Sequence, residues 1–267
     1  MSQSTMVFAP HPDDAEFYAG GTIAWMAHQG ITVYLVTVSD GRMGSFTHTS
    51  SELIRMRAEE ARQGARLLGA EEPIFLGHAD SGLDLLPAGF LREQFTSLIR
   101  QHRPDIVIAE DIFAAQELHP DHRAVARAVS DALSCATLPL VYPEHLQQGL
   151  EPHFVREKYF YAGPLEKANK IVDITTTMPI KLAAISAHKT QVEFLVEDVM
   201  RQARLAELNF ESIIGAAFAD PLAALSWVIQ AEASQAGRII GVQYAEAFRY
   251  TRFHPTIENL ISTQPGA

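Results

Sequence analysis

The sequence predicts an α/β protein: a doubly wound, mostly parallel sheet with helices on both faces, followed by a C-terminal extension of helices and short strands. Near-continuous apolar runs at 6–9, 31–38 and 106–109, the second rich in β-branched residues, suit strands covered on both faces. Stretches of helical periodicity separate them, as in a parallel sheet with crossover helices. The 267 residues, 47% of them hydrophobic, suffice for one sizeable core.

The first strand, Met6-Val7-Phe8-Ala9, ends at His11-Pro12-Asp13-Asp14. A helix is expected from Ala15 to Gln29, closed by Gly30, with Gly20-Gly21 permitting close packing on the sheet. Strand, tight turn and helix follow the Rossmann arrangement, but no GxGxxG precedes the helix, which argues against a dinucleotide site there. Ile31 to Val38 reads as an interior strand. The loop leaving it, from Ser39-Asp40-Gly41-Arg42 to Ser51, lies on the same rim as the first block and is placed to shape a substrate mouth. Asp40 and Arg42 are its candidate substrate-binding residues, against the alternative of a plain connection.

Thr49 and Glu52 predict a capping box for a helix that runs to Leu68 and stops at Gly69. Arg57 on that helix is another candidate substrate-binding residue, or else a solvated i,i+3 partner of Glu60. Ile74-Phe75-Leu76 is a third strand, and Gly77-His78-Ala79-Asp80 leaves it toward the same rim with His78 and Asp80 as candidate contacts. An amphipathic helix, Phe90 to Gln101, stops at His102-Arg103-Pro104 and leads into the strand Ile106-Val107-Ile108-Ala109. A second block, His119-Pro120-Asp121-His122, follows that strand.

Residues three apart on a first helical turn share a side, so His11 can converge with Asp14 and His119 with His122, while Asp13 points elsewhere. In an open parallel sheet both blocks arrive in the crevice beyond the carboxyl ends of the strands. Two imidazoles and one carboxylate, with a position left for water, make up a common catalytic zinc site. Taken singly, each block also reads as an ordinary helix cap, since Asp accepts free backbone N–H groups and complements the helix dipole.

Beyond Ser134 the pattern loosens. Strands are expected at Pro139–Pro143, Lys158–Tyr161 and Lys170–Asp173, and a helix at Met178–Lys189 that puts Lys181 and His188 on one face. His188 is a candidate substrate-binding residue. Residues 192–236 are expected to be helical, broken only at Asp220-Pro221, and 238–250 to return as a strand to the rim or to an interface. The whole chain, 1–267, is expected to be one domain with its core over 5–190.

Lys and Arg total 21 against 32 Asp and Glu, a net charge of −11, which repels nucleic acid and favours a neutral or cationic small molecule. The single cysteine, Cys135, lies in an apolar helical run and is expected to be a buried thiol. No run approaches the ~20 apolar residues of a membrane span, and no basic stretch leads into one near residue 1, so a soluble, cytoplasmic protein is expected.

The segments APHPDDAEFYAGGTI, VSDGRMG, RAEEARQGARLLGA, PDIVIAEDIFAAQELHPDHRAVARAV, IVDIT, KLAAISAHKTQ and YAEAF resemble the zinc-dependent de-N-acetylase family named for PIG-L, also called LmbE-like. The later segments look most like its diacetylchitobiose deacetylase subgroup. The resemblance spans most of 6–192 plus 238–250. It implies a Rossmann-like fold, Zn²⁺ held by His11, Asp14 and His122, Asp13 as general base and His119 as oxyanion stabiliser. It also implies an N-acetylglucosamine-type substrate and a homo-oligomer, trimeric or hexameric, to which Tyr244, Glu246 or His188 beside Lys181 would contribute at a neighbour's mouth. The family's motif runs from HPDD directly to Glu, whereas here Ala15 intervenes, so Glu16 is given no metal role. Two rivals use the same residues otherwise: a non-haem iron oxygenase with a two-histidine, one-carboxylate site, and a non-catalytic sugar- or nucleotide-binding module whose blocks are only caps.

Overall fold

The computed structural model describes residues 3–114, 117–208 and 221–263. Seven strands form one sheet in the order β3-β2-β1-β4-β5-β7-β6. They are β1 (Ser4–Ala9), β2 (Thr32–Ser39), β3 (Ile74–His78), β4 (Ile106–Glu110), β5 (Glu157–Tyr161), β6 (Lys170–Asp173) and β7 (Ala245–Thr251). The first five run parallel, and β7 lies antiparallel between β5 and β6.

The chain first winds outward from β1 to β3, then returns to the other side of β1 with β4, pairing Met6 with Val107. Strand order therefore reverses between β1 and β4. The carboxyl ends of two strands that send their connections opposite ways leave a crevice there.

Side chains alternate along β1 as a two-sided strand requires. Val7 and Ala9 join Leu35, Ile108 and Phe248 under α1 (Asp14–His28) and α2 (Ser50–Leu68). Met6 and Phe8 join Val36 and Val107 under α3 (Phe90–His102) and α4 (Pro120–Cys135). The capping box of α2 is present: Thr49 accepts from the Glu52 N–H, and Glu52 accepts from the Thr49 N–H. A β-carbon on Gly21 would lie 2.7 Å from Ile174, so the glycine permits close approach to the segment after β6 rather than to the sheet face.

Several later elements differ from expectation. Residues 139–143 form no strand but turn into the short helix α5 (Pro143–Gln147). Proline at both ends withholds ladder donors, and the buried Arg100 instead gathers the carbonyls of Ala136, Leu138, Val141 and Tyr142. The helix expected to reach Lys189 ends at Ala187 (α6, Met178–Ala187), and α7 (Lys189–Leu205) starts after a break at His188, whose ψ of 60° is not helical. The expected helical stretch contains α7 and α8 (Pro221–Ile240); its residues 209–220 lie outside the described ones. The return strand begins only at Ala245 and sits inside the sheet, followed by α9 (Pro255–Ser262), which the pattern did not announce. Cys135, the last residue of α4, is half-buried rather than buried. Among the described residues no helix is long and apolar enough to cross a membrane.

Candidate active site

The two blocks meet at the reversal point. The first lies between β1 and α1, the second at the head of α4, and the rings of His11, His119 and His122 stand within 5.4 Å of one another, centre to centre. Three atoms converge: His11 Nδ1 is 3.2 Å from His122 Nε2 and 3.3 Å from Asp14 Oδ2, which is 3.5 Å from His122 Nε2. Ligand atoms ~2.0–2.1 Å from a tetrahedral ion are separated from one another by ~3.3–3.4 Å.

The other ring nitrogen of each histidine faces carboxylates. His122 Nδ1 lies 2.7 Å from Glu110 Oε2 at the buried end of β4, and His11 Nε2 lies 3.3 Å from Asp80 Oδ1 and 3.4 Å from Asp121 Oδ2. A carboxylate beside one ring nitrogen holds a proton there and leaves a lone pair on the other. Two imidazole lone pairs and a carboxylate oxygen then face each other, which is unfavourable unless a cation sits between them. The residues fit a divalent metal ion. The same histidines with their outer carboxylates also form acidic clusters, His11 with Asp80 and Asp121, and His122 with Glu110 and Glu117.

Without an ion, protons compensate. Burial disfavours the charged His122 ring, but the Asp14 charge and the bond to Glu110 outweigh it and push its pKa up to about 9. Burial likewise opposes ionisation of Asp14, yet His122 and His11 hold it below the ordinary carboxylate range.

Asp13 departs from the cap reading. It occupies the N-cap position of α1 without a side-chain cap bond, at φ 142°, a conformation that costs of order 1–3 kcal/mol and clusters at functional sites. Its carbonyl starts the helix, accepting from Glu16 and Phe17. Its Oδ1 accepts from Arg57 Nη2 at 2.7 Å. Burial pushes the Asp13 pKa up to about 6, against the lowering effect of Arg57.

His119 does cap α4, its Nδ1 accepting from the Asp121 N–H, so its proton rests on Nε2. Burial and the neighbouring histidines lower its pKa, which favours the neutral donor form. A cavity of about 690 Å³ opens over the cluster, lined at its base by His11, Asp13, Asp14, Asp80, His119 and His122.

The remaining candidate residues divide between the site and its surroundings. Arg57 is no solvated partner of Glu60: it is 2% exposed and also donates to the carbonyls of Pro12 and Gly41, while Glu60 accepts from Thr190. Gly41 adopts φ +67°, and a β-carbon there would lie 2.7 Å from the guanidinium carbon. Asp40 and Arg42 are paired with each other and do not line the cavity. His188 is fully buried, 3.3 Å from Glu16 Oε1, so it meets no substrate: the break between α6 and α7 turns it inward. Glu246 is likewise internal, bound to Lys181 at 2.6 Å and accepting from the Gly21 and Thr22 N–H groups, so neither reaches a neighbour's mouth. His78 bonds Gln94, whereas Asp80 stands at the site.

Sequence reasoning missed Glu110 and Tyr18. Glu110 had a signal, a carboxylate ending an otherwise apolar strand. Tyr18 lines the cavity and stacks on Tyr161 with ring centres 4.8 Å apart.

Fold and cluster together define a Rossmann-like α/β protein whose clustered histidines and carboxylates could hold a metal ion at the strand-order reversal. The family model described as PIG-L, GlcNAc-PI de-N-acetylase, matches residues 6–133. The diacetylchitobiose deacetylase of Thermococcus kodakarensis is 34% identical over 191 residues, which cover 71% of this chain and 70% of that protein. A probable N-acetyl-alpha-D-glucosaminyl L-malate deacetylase 2 of Bacillus cereus is 26% identical over 206 residues, 74% of this chain and 88% of that one. Among solved structures, the N,N'-diacetylchitobiose deacetylase of Pyrococcus horikoshii superposes with a TM-score of 0.78 and 29% identity over 94% of this chain and 84% of that chain. The chain belongs to the PIG-L de-N-acetylase family.

Proposed function

We propose that this protein is a zinc-dependent hydrolase that removes the acetyl group from an N-acetylglucosamine-type sugar. The observation that carries the reading is the convergence of His11 Nδ1, Asp14 Oδ2 and His122 Nε2, with the buried carboxylate of Asp13 alongside as a separate base. The two-nitrogen, one-oxygen donor set with an open position suits catalytic zinc. The relatives' names specify N-acetylglucosamine-type substrates, which supports the sugar assignment.

When bound, zinc supplies a water whose pKa falls toward ~7 and a Lewis acid for the amide carbonyl. Asp13 takes the proton of the attacking water. With a pKa of about 6 it is ionised at neutral pH yet basic enough to accept that proton, and it returns one to the departing amine. Arg57 aims the Asp13 carboxylate and keeps it ionised. His119 donates from Nε2 to the oxygen that gains charge, an interaction whose removal commonly costs ~3 kcal/mol.

We further propose that α7 and α8 join copies of the chain into a trimer or hexamer, a reading supported by the exposed Val199, Ile239 and Ile240 on these helices. Light scattering tests the assembly, and a monomeric mass rejects it. The function is tested by acetate release from N-acetylglucosamine glycosides, abolished by chelator and restored by zinc. Failure of the zinc-loaded enzyme to release acetate from any of them overturns the reading.

A further inference from the structure

Part of the cavity wall is made by the C-terminal helices. Leu225, Val228, Ile229 and Glu232 of α8 line it at spacing i, i+3, i+4, i+7, so a single stripe of that helix faces inward. Phe194 and Leu195 of α7 stand next to them, and Ile229 is anchored in the core formed by Ile174, Met178 and Ile185. The histidine and carboxylate part of the cavity is polar, whereas the lining from α7 and α8 is apolar apart from the Gln191 amide and the Glu232 carboxylate. The cavity, about 690 Å³, has room for a substituent on the sugar as well as for the sugar itself.

Charge narrows what that substituent can be. Asp13, Asp14, Asp80, Glu117 and Glu232 line the cavity, and among the described residues the only Lys or Arg side chain doing so is Arg57. Arg57 is buried and its two Nη groups are bound to Asp13 and two carbonyls, which leaves only the buried Nε without a partner and no paired N–H fork to recognise a carboxylate or phosphate. Arg201, nearby over the Phe46 ring, is paired with Glu197 and does not line the cavity. Residues 115–116 and 209–220 contain no Lys, Arg or His. A bound metal ion would add positive charge only at the His11, Asp14 and His122 cluster.

We propose that the α7–α8 wall is a binding subsite for an uncharged, apolar aglycone, aromatic or alkyl, and that the cavity discriminates against anionic conjugates. This rests on the deacetylase reading above. An apolar group on the sugar covers the stripe of Leu225, Val228 and Ile229 and leaves water around Glu232. A carboxylate at the same place meets Glu232 with no counter-charge and loses its hydration.

Three probes separate the possibilities with the zinc-loaded enzyme: N-acetylglucosamine, its 4-nitrophenyl β-glycoside and its 4-carboxyphenyl β-glycoside, the last two nearly equal in shape. The 4-nitrophenyl compound is expected to exceed the other two in kcat/KM by ~10-fold or more. Glu232→Lys should raise the carboxyphenyl to nitrophenyl ratio by ~10-fold, and Val228→Ser should lower the nitrophenyl preference over the free sugar. Acetate release at similar rates from both aryl glycosides, or a ratio unchanged in Glu232→Lys, overturns the subsite while leaving the deacetylase reading intact. Release from none of the three counts against the deacetylase reading itself.

Discussion

Replacing Arg57 with Met separates its support of Asp13 from direct binding of substrate. The guanidinium donates to Asp13 Oδ1 at 2.7 Å and to the carbonyls of Pro12 and Gly41 at 3.0 Å each, all out of solvent. Without it, two buried carbonyls lose donors at ~1–3 kcal/mol each, and Asp13 loses the charge that opposes burial. The opposite charge of a close neighbour lowers a carboxyl pKa by ~1–3, so the acidic limb of kcat/KM, expected near 6 in the native enzyme, should move up by a similar amount. The sign follows from the role: a base must be ionised, so activity rises with pH through this limb. At pH 7 a limb moved to ~8 leaves about a tenth of Asp13 ionised, a loss of ~10-fold that should largely disappear by pH 9. The assay is acetate release from pH 5 to 9.5 at fixed metal content, with unfolding followed separately. An unmoved limb with a raised KM would show that Arg57 contacts substrate instead, and an equal loss at every pH would refute the electrostatic account.

Four further outcomes are expected. Asp13→Asn should keep its zinc, measured by elemental analysis, and lose kcat by ~10² or more. His119→Ala should lose ~10²–10³ in kcat with little change in KM, read from steady-state kinetics. Glu110→Gln should weaken zinc binding by ~10–100-fold in chelator competition, because the His122 Nδ1 proton loses its carboxylate partner. Lys181→Met should destabilise the protein by ~3 kcal/mol in urea unfolding, at the low end for a broken buried pair because Glu246 keeps the Gly21 and Thr22 N–H groups.

Local spacing made the centre of this site readable. His11 and Asp14 lie three residues apart in one turn, and His122 opens a helix after a strand adjacent to β1, so period and strand order deliver them together. Their supporting carboxylates were harder to see. Asp80 comes from the connection after β3 and Glu110 from the end of β4, and only the tertiary fold brings them to His11 and His122. Arg57 was ambiguous because an arginine on an amphipathic helix with Glu60 one turn on reads as solvated. It is buried because the loop at Gly41 folds over it. His188 misled for the same kind of reason: a continuous helical pattern conceals a break, and the break turned the ring into the core. The mouth was the least legible part, since its apolar wall comes from α8, far along the chain.

A crystal grown with zinc, with diffraction recorded across the zinc edge, tests the central claim most directly. One anomalous peak within ~2.0–2.2 Å of His11 Nδ1, Asp14 Oδ2 and His122 Nε2 is predicted. A peak instead between His11, Asp80 and Asp121, or between His122, Glu110 and Glu117, would contradict it, as would no peak at all in protein that releases acetate.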